Sequence, residues 1–432
     1  MFRAKFIISV LAITLPNISF AAGFALLEQS AAGVGSGFAG AAAGLGDGSE
    51  VYFNPAAMAG ISGYKASISS TLIAARAKFN SAADADGITL SGKNDGTREI
   101  VALPTAYFVA ALDEDLALGF GVNSPFGLST SYDADWVGRY HATRSELTTI
   151  NLSPAISYKA WKCECGGMYL ALGAAANVYY IDATLENAVD FSKLIGSATQ
   201  QNDGYAKIKG NDWAVGATLG AQFAYEDNRS TMGLAWHSRV QSTLEGEAKF
   251  DLPSAARILQ AAGLFTDTNI SAGLTLPESL AFGGQHWVSN TEALLYEAQW
   301  TRWSRFEELR VKFDSQQPDS VTNEGWNNVW RLSVGGKKLL HDNFTWRGGI
   351  TYDASPVADS AHRTARIPDA DRYWLATGLS YKITNAATLD LSYAHLFVQN
   401  SSSDLAASAA GSFKGNWRSG VDIVALGVSA GW

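Results

Sequence analysis

Cysteine is almost missing from this chain, with two in 432 residues, at Cys163 and Cys165, which excludes a disulfide-built scaffold. Charge is scarce too, at 17% against about 25% in ordinary globular chains. Bases fall short of acids by 32 to 41, a net charge of -9, so no broadly basic surface awaits nucleic-acid phosphates. The six His form no H-E-x-x-H or other ligand pair, and no metal or cofactor site is expected. Beyond the N-terminus there is no run of about 18 strongly apolar residues, so a helical membrane protein is excluded. What the chain does have is 42 Gly, 20 Phe, 16 Tyr and 13 Trp.

The first residues set the compartment. Arg3 and Lys5 precede an apolar run from Phe6 to Leu15, Pro16 and Asn17 interrupt it, and Ser19-Phe20-Ala21 ends in a signal-peptidase pattern. Residues 1–21 read as a signal peptide, with Ala22 the mature start.

Most of the remaining chain alternates with period two. Leu116, Leu118, Phe120 and Val122 share one face; Ala117, Gly119, Gly121 and Asn123 share the other. Trp213, Val215, Leu219, Phe223 and Tyr225 likewise oppose Ala214, Gly216, Thr218, Gly220 and Gln222. One face is fatty and ends in aromatics, and the other is small or polar. A soluble sandwich would put many Lys and Glu on its polar face, so the pattern is that of an all-β transmembrane antiparallel barrel.

About fourteen strands are expected, starting near Tyr64, Thr97, Asp115, Ser145, Met168, Asp212, Ser230, Pro277, Glu292, Asn328, Asn343, Asp371, Ala387 and Gly420. Short turns alternate with long links, such as residues 183 to 211 and 246 to 276. Short turns face the periplasm in such barrels, which puts both termini there. The barrel then spans residues 64–432 and closes on Trp432. Residues 22–63, rich in Gly and Ala and without alternation, are expected to fill the lumen as a hatch.

Several short stretches resemble one family, the FadL-type outer-membrane transporters of long-chain fatty acids and other hydrophobic compounds. They are Ala22-Gly23-Phe24, Asn54-Pro55-Ala56, Asn123 to Tyr132, Arg302-Trp303-Ser304-Arg305-Phe306, and Asp353 to Trp374 with its IPDADRYW. The resemblance implies a hatch within a fourteen-stranded barrel. It also implies ligand capture by outer loops, a pocket near Phe24, and sideways release at a kink in the third strand.

The residues carry part of that reading themselves. Pro125 donates no N–H and Gly127 packs nothing, so pairing fails around Asn123, Ser124, Pro125, Phe126 and Gly127, either as a gap in the wall or as a rim bulge. Two long links show helical spacing of apolar residues. Leu185, Val189, Leu194 and Ile195 form one set; Ile258, Leu259 and Phe265, after a capping Ser254, form the other. They are expected to line an external capture groove, or else to bury each other.

Asn54, Pro55 and Ala56 are expected to pin the hatch. Where fatty-acid-binding relatives carry a base ahead of a strand arginine, this chain has Asn327-Asn328 before Arg331, and Glu186-Asn187 supplies no cation. Either Arg239, Arg331 or Arg347 takes a carboxylate headgroup, or the ligand is neutral. Gly35 to Gly40 fits G-x-G-x-x-G but follows no strand of a βαβ unit. The Cys pair sits in a short turn, as a local disulfide or a structural element. Uptake of long-chain fatty acids or similar hydrophobic molecules by a monomer, with outer-membrane lipid and the ligand as partners, is the first expectation. Passage of neutral hydrocarbons is the alternative. A polar-solute porin and an outer-membrane lipid enzyme rank below, the latter lacking a visible triad.

Overall fold

A computed structural model describes residues 23–81, 91–163, 167–194, 202–225, 228–408 and 411–432. The expected signal segment, Ile195 and Cys165 lie outside the described residues. Fourteen antiparallel strands close into one barrel. They are β1 Tyr64–Ser81, β2 Gly96–Ala111, β3 Leu116–Asn123 with Gly127–Ser131, β4 Arg144–Cys163, β5 Met168–Asp190, β6 Asp203–Tyr225 and β7 Ser230–His237 with Val240–Asp251. The rest are β8 Thr268–Leu276 with Ser279–Trp287, β9 Glu292–Thr301 with Glu308–Phe313, β10 Ser320–Asn323 with Val329–His341, β11 Phe344–Asp353, β12 Arg372–Lys382, β13 Ala387–Val398 with Ser401–Ser408, and β14 Gly411–Gly431. The wall closes where β1 pairs with β14, and the Tyr64 N–H donates to the Trp432 carbonyl at 2.9 Å.

Burial runs opposite to that of a soluble protein. Leu72, Leu118, Leu234, Leu332, Leu375 and Leu391 are exposed on the outer wall, while Thr71, Ser153, Thr218, Ser333 and Ser392 are buried on the inner one. Lipid replaces water around the outer face, so large apolar groups belong there. Aromatics edge that face at both ends. Tyr64 stacks on Trp432 and Phe344 on Tyr381 near the short turns; Tyr180 meets Trp213 and Tyr352 meets Tyr373 at the other end.

Several strands run further than the alternation suggested. β5 continues to Asp190 and β6 begins at Asp203, so most of the expected 183 to 211 link is ladder. β8 begins at Thr268 and β14 at Gly411. Past the apolar band an outward position no longer needs an apolar side chain, and cross-strand ion pairs take over. Lys207 pairs with Glu186 at 2.9 Å and Lys209 with Asp182 at 3.5 Å.

The helical reading of the two links needs correction for the same reason. Leu185 and Val189 are strand residues, and only Phe191–Leu194 is helical. Ser254 makes no capping bond; a 3-10 turn at Ser254–Ala256 leads into a short helix, Arg257–Ala261. Ile258 is exposed and Leu259 half-buried. Phe265 packs on Phe191 and Phe250, with ring centroids 4.9 and 5.6 Å apart.

Residues 23–63 form short helical turns, nearly all buried, in contact with strands around the wall. The wall is thinned to receive them. A Cβ at Gly349 would lie 1.9 Å from the Ser36 carbonyl oxygen, and one at Gly233 would lie 1.7 Å from that of Ala42, so at these two positions only glycine lets the backbones approach. Cys163 is disulfide-bonded.

Candidate functional site

The site begins at Phe24. Gly23 turns with φ +63°, where a Cβ would meet the Trp326 ring at 2.4 Å. The Gly23 N–H donates to Asp369 Oδ2 at 3.1 Å. Asp369 is held by Ser355 Oγ at 2.8 Å and lies 3.4 Å from Arg372. Arg372 in turn binds Asp353 at 2.9 Å. The DASPV and IPDADRYW stretches therefore converge on the start of the N-terminal segment. So anchored, Phe24 enters an aromatic nest, 4.7 Å from Trp303, 5.4 Å from Phe306 and 5.6 Å from Trp326 between ring centroids. The edge-to-face contacts with Trp303 and Phe306 contribute about 0.5–1.5 kcal/mol each beyond burial.

Against the other side of Phe24 runs the interruption in β3. The β3–β4 ladder passes from Asn123 opposite Asn151 to Gly127 opposite Thr148, so β3 spends one more residue than β4 across the break. That is a bulge. It is also a loss of pairing, because the described β2–β3 ladder ends at Ala106 opposite Val122. Pro104 on β2 and Pro125 on β3 both lack a donor there. Further up, the Ser131 N–H reaches Thr97 Oγ1 at 3.1 Å.

The N-terminal segment fills the break as a substitute strand. The Gly127 N–H donates to the Phe24 carbonyl at 2.8 Å and the Leu26 N–H to the Pro125 carbonyl at 2.7 Å, with Ala25 bridging Phe126. The Gln29 side-chain amide binds Ser124 twice, accepting from its N–H at 3.2 Å and donating to its carbonyl at 2.8 Å. Thr149 Oγ1 accepts from the Phe126 N–H at 3.1 Å and donates to the Phe126 carbonyl at 2.7 Å. On the outer wall a shallow groove lined by Pro104, Ala106 and Val122 runs along this place.

Beside Phe24 opens a cleft walled by Leu147, Leu185, Ile208, Leu244, Ile270 and Leu274. Arg366 stands in this largely apolar wall, which Glu146 and Glu324 also line. Its Nη1 donates to Ser145 Oγ at 3.1 Å and to the Arg144 carbonyl at 3.4 Å, and its Nη2 to Asn187 Oδ1 at 3.2 Å. Among the described residues no carboxylate forms an ion pair with it. Burial pushes the guanidinium down to about 10, opposed by Glu324 and Tyr132, so it remains a cation at neutral pH.

The three arginines expected from the sequence lie elsewhere. Arg331 points inward but is paired with Glu297 at 3.0 Å and bound to Gln299 and Ser333. Arg347 points inward as well, against Asp390 at 3.3 Å and Ser380. Arg239, expected inward, is exposed, because the Ser238–Arg239 interruption of β7 resets the alternation; Ala235 is buried before it and Val240 after it. None of the three lines the cleft. Of the groove residues, Leu185 lines it, whereas Val189, Leu194, Ile258, Leu259 and Phe265 do not.

Asn54, Pro55 and Ala56 sit well away from Phe24, at a socket on β5, β6 and β7. Asn54 Nδ2 donates to the Ala42 carbonyl at 2.6 Å and the Ala221 carbonyl at 3.1 Å, and its Oδ1 accepts from the Ala56 N–H at 3.1 Å. A Cβ at Gly220 would lie 1.9 Å from Asn54 Oδ1, and one at Gly173 2.2 Å from the Ala56 nitrogen. Asn54→Ala removes the donor from the buried Ala42 carbonyl, at about 1–3 kcal/mol, cuts the tie to the half-buried Ala221 carbonyl of the wall, and is expected to loosen the segment. Single-channel recording in a planar bilayer is expected to show raised ion conductance for Asn54→Ala and also for Gly220→Ala. A steady parent-level baseline in both would refute the pinning role.

The family profile described as Outer membrane protein transport protein (OMPP1/FadL/TodX) matches residues 12–430. The "Long-chain fatty acid transport protein" of Escherichia coli O6:H1 strain CFT073 is 30% identical over 418 residues, covering 91% of this chain and 92% of the relative. Outer membrane protein P1 of Haemophilus influenzae is 28% identical over 411 residues, covering 87% and 86%. A Pseudomonas aeruginosa FadL homologue has the same fold, with TM-score 0.85 at 24% identity, covering 95% of this chain and all of that one. The toluene transporter TodX of Pseudomonas putida follows at TM-score 0.69 and 15% identity, covering 95% and 100%.

Proposed function

The chain belongs to the OMPP1/FadL/TodX family of outer-membrane transport proteins, and from that footing we propose that it takes up long-chain carboxylates of the fatty-acid class. The observation that carries this reading is Arg366. A half-buried cation with no ion-pair partner among the described residues, set in a largely apolar cleft, matches an amphiphile with one anionic head and a hydrocarbon tail. A neutral hydrocarbon would leave the guanidinium with only the field of Glu324 opposite it and no direct anionic partner, so the second reading, a channel for aromatics or alkanes, has less support. In this proposal the tail lies along Leu147, Ile270 and Leu274 with its end toward Phe24.

The route follows from what Phe24 touches. Residues 22–63 act as the hatch, and the end carrying the long links faces outward. Ligand entering the cleft packs its tail end against the Phe24 ring and turns that ring out of the aromatic nest formed by Trp303, Phe306 and Trp326. Phe24 and Leu26 also hold the substitute strand in the β3 break, so moving the ring withdraws the backbone that fills the wall. The ligand then leaves sideways between β2 and β3 into the lipid. Phe24→Ala is expected to weaken retention about tenfold while the folded, heat-modifiable band is kept, read by equilibrium binding of a fluorescent fatty acid.

The function is tested by uptake in a strain deleted for this protein and complemented with it. Radiolabelled long-chain fatty acids, alkanes and monoaromatics are compared, with steady ion current as the arm for an open porin. Complementation is expected for fatty acids first. Complementation by alkanes or aromatics alone would overturn the carboxylate assignment.

A further inference from the structure

On the lipid-facing side of β2, β1 and β14, where the apolar band ends, four bases stand together against the acidic balance of the chain. Arg76 on β1 lies opposite Arg98 on β2, and Lys78 lies opposite Arg418 on β14. All four are exposed and share the outward parity of the exposed Leu72, Ile100, Val424 and Leu426. The Arg76 guanidinium leans across β14, since a Cβ at Gly420 would meet its Nε at 3.5 Å and its Nη2 at 3.7 Å. Among the described residues none of the four forms an ion pair. Asp422, on the same outer face, lies within electrostatic reach of Arg76 without forming an ion pair with it, its carboxylate being engaged by the Tyr393 hydroxyl and His395 Nδ1, each at 2.7 Å.

Like charges directly opposite on paired strands repel, so the arrangement is destabilising unless an anion lies between them. Height narrows the choice of anion. Arg76 is a dozen residues up β1 from Tyr64, roughly 40 Å of strand, or about 30 Å of height at the usual barrel tilt. That is just past an apolar band of about 25 Å, at headgroup level. Ile100 and Leu72 continue directly beneath, where acyl chains run.

We propose that this patch binds a phosphorylated glycolipid of the outer leaflet, with its phosphates between Arg76, Arg98, Lys78 and Arg418 and its acyl chains on the wall below. The inference rests on the outward placement of the long links. Guanidinium groups take phosphate in paired, charge-assisted hydrogen bonds, and basic clusters at the membrane edge select anionic headgroups. The wall between β14 and β2 borders the β3 break, so the lipid also sits beside the sideways route.

Native mass spectrometry of the folded full-length protein tests this, with hexa-acylated bisphosphorylated lipid A and phosphatidylglycerol as probes. The parent is expected to retain lipid A over phosphatidylglycerol, and R76Q/R98Q to retain it at least tenfold less, with heat-modifiable migration and fatty-acid binding unchanged. K78Q/R418Q is a second variant with the same expected loss. Equal retention by the parent and both variants, or equal retention of phosphatidylglycerol, would overturn the proposal. Orientation is read separately by labelling I258C on whole cells with a membrane-impermeant maleimide. Labelling without lipid A retention removes the lipid site alone, and labelling only after the outer membrane is breached removes the orientation on which it rests.

Discussion

Deleting Pro125 is expected to reduce fatty-acid uptake to below a tenth of the parent rate while the barrel still folds and inserts. β3 has one residue more than β4 between Asn123 and Gly127, so one deletion restores equal counts and lets the ladder run through. The break is held open by that extra residue and by the missing donors of Pro125 and Pro104. Substituting Pro125 alone would keep the bulge and is expected to give a smaller loss. A closed β3 also leaves Phe24 and Leu26 without their partners at Gly127 and Pro125, so the N-terminal segment should become more susceptible to added protease. Parent-level uptake by a folded, inserted deletion variant would refute sideways release.

The second large effect concerns the headgroup. Arg366→Met keeps much of the side-chain volume and removes the positive charge from the cleft, leaving Glu146 and Glu324 as its ionisable lining. A charge-assisted hydrogen bond in such a place contributes about 1.5–3 kcal/mol, which is roughly 10- to 150-fold in Kd. Retention of a long-chain carboxylate is expected to fall by that factor, and retention of the alcohol of equal length to stay the same or improve. The contrast separates a headgroup partner from a residue that merely holds the links to β4 and β5 through Ser145 and Asn187. Equal losses for acid and alcohol would assign Arg366 a structural role. Titration by tryptophan fluorescence suits the measurement, because Trp303 and Trp326 surround Phe24.

The barrel was legible because lipid on one side and a packed lumen on the other impose two-fold alternation, as in Trp213 to Tyr225. Strand ends were less so. In β5 and β6 the ladder outlasts the apolar band, and Glu186 with Lys207 carries it where hydropathy falls silent. The same loss of signal let Leu185 and Val189 pass for one face of a helix. The β3 break was visible in Pro125, and Pro104 on the facing strand was a second sign of it that went unread. Arg366 lay within a stretch already singled out, yet its neighbours Ser145 and Asn187 are more than 170 residues away, a distance that only closure of the barrel removes. Arg331 and Arg347 pointed inward as their parity required, but their partners Glu297 and Asp390 were equally beyond sequence spacing. Arg239 illustrates the converse, since the break at Ser238–Arg239 gives β7 one residue more than β6 and so inverts the side chains that follow in the strand.

The central claim is that a carboxylate lies against Arg366 with its tail in the apolar cleft, and a crystal structure with a long-chain acid brominated at its terminal carbon tests it most directly. The account predicts the carboxylate within hydrogen-bond reach of the Arg366 guanidinium, anomalous bromine density toward the aromatic nest, and the Phe24 ring displaced from Trp303. Bromine density in the lumen beside Arg331 and Glu297, or a head group turned away from Arg366, would contradict it.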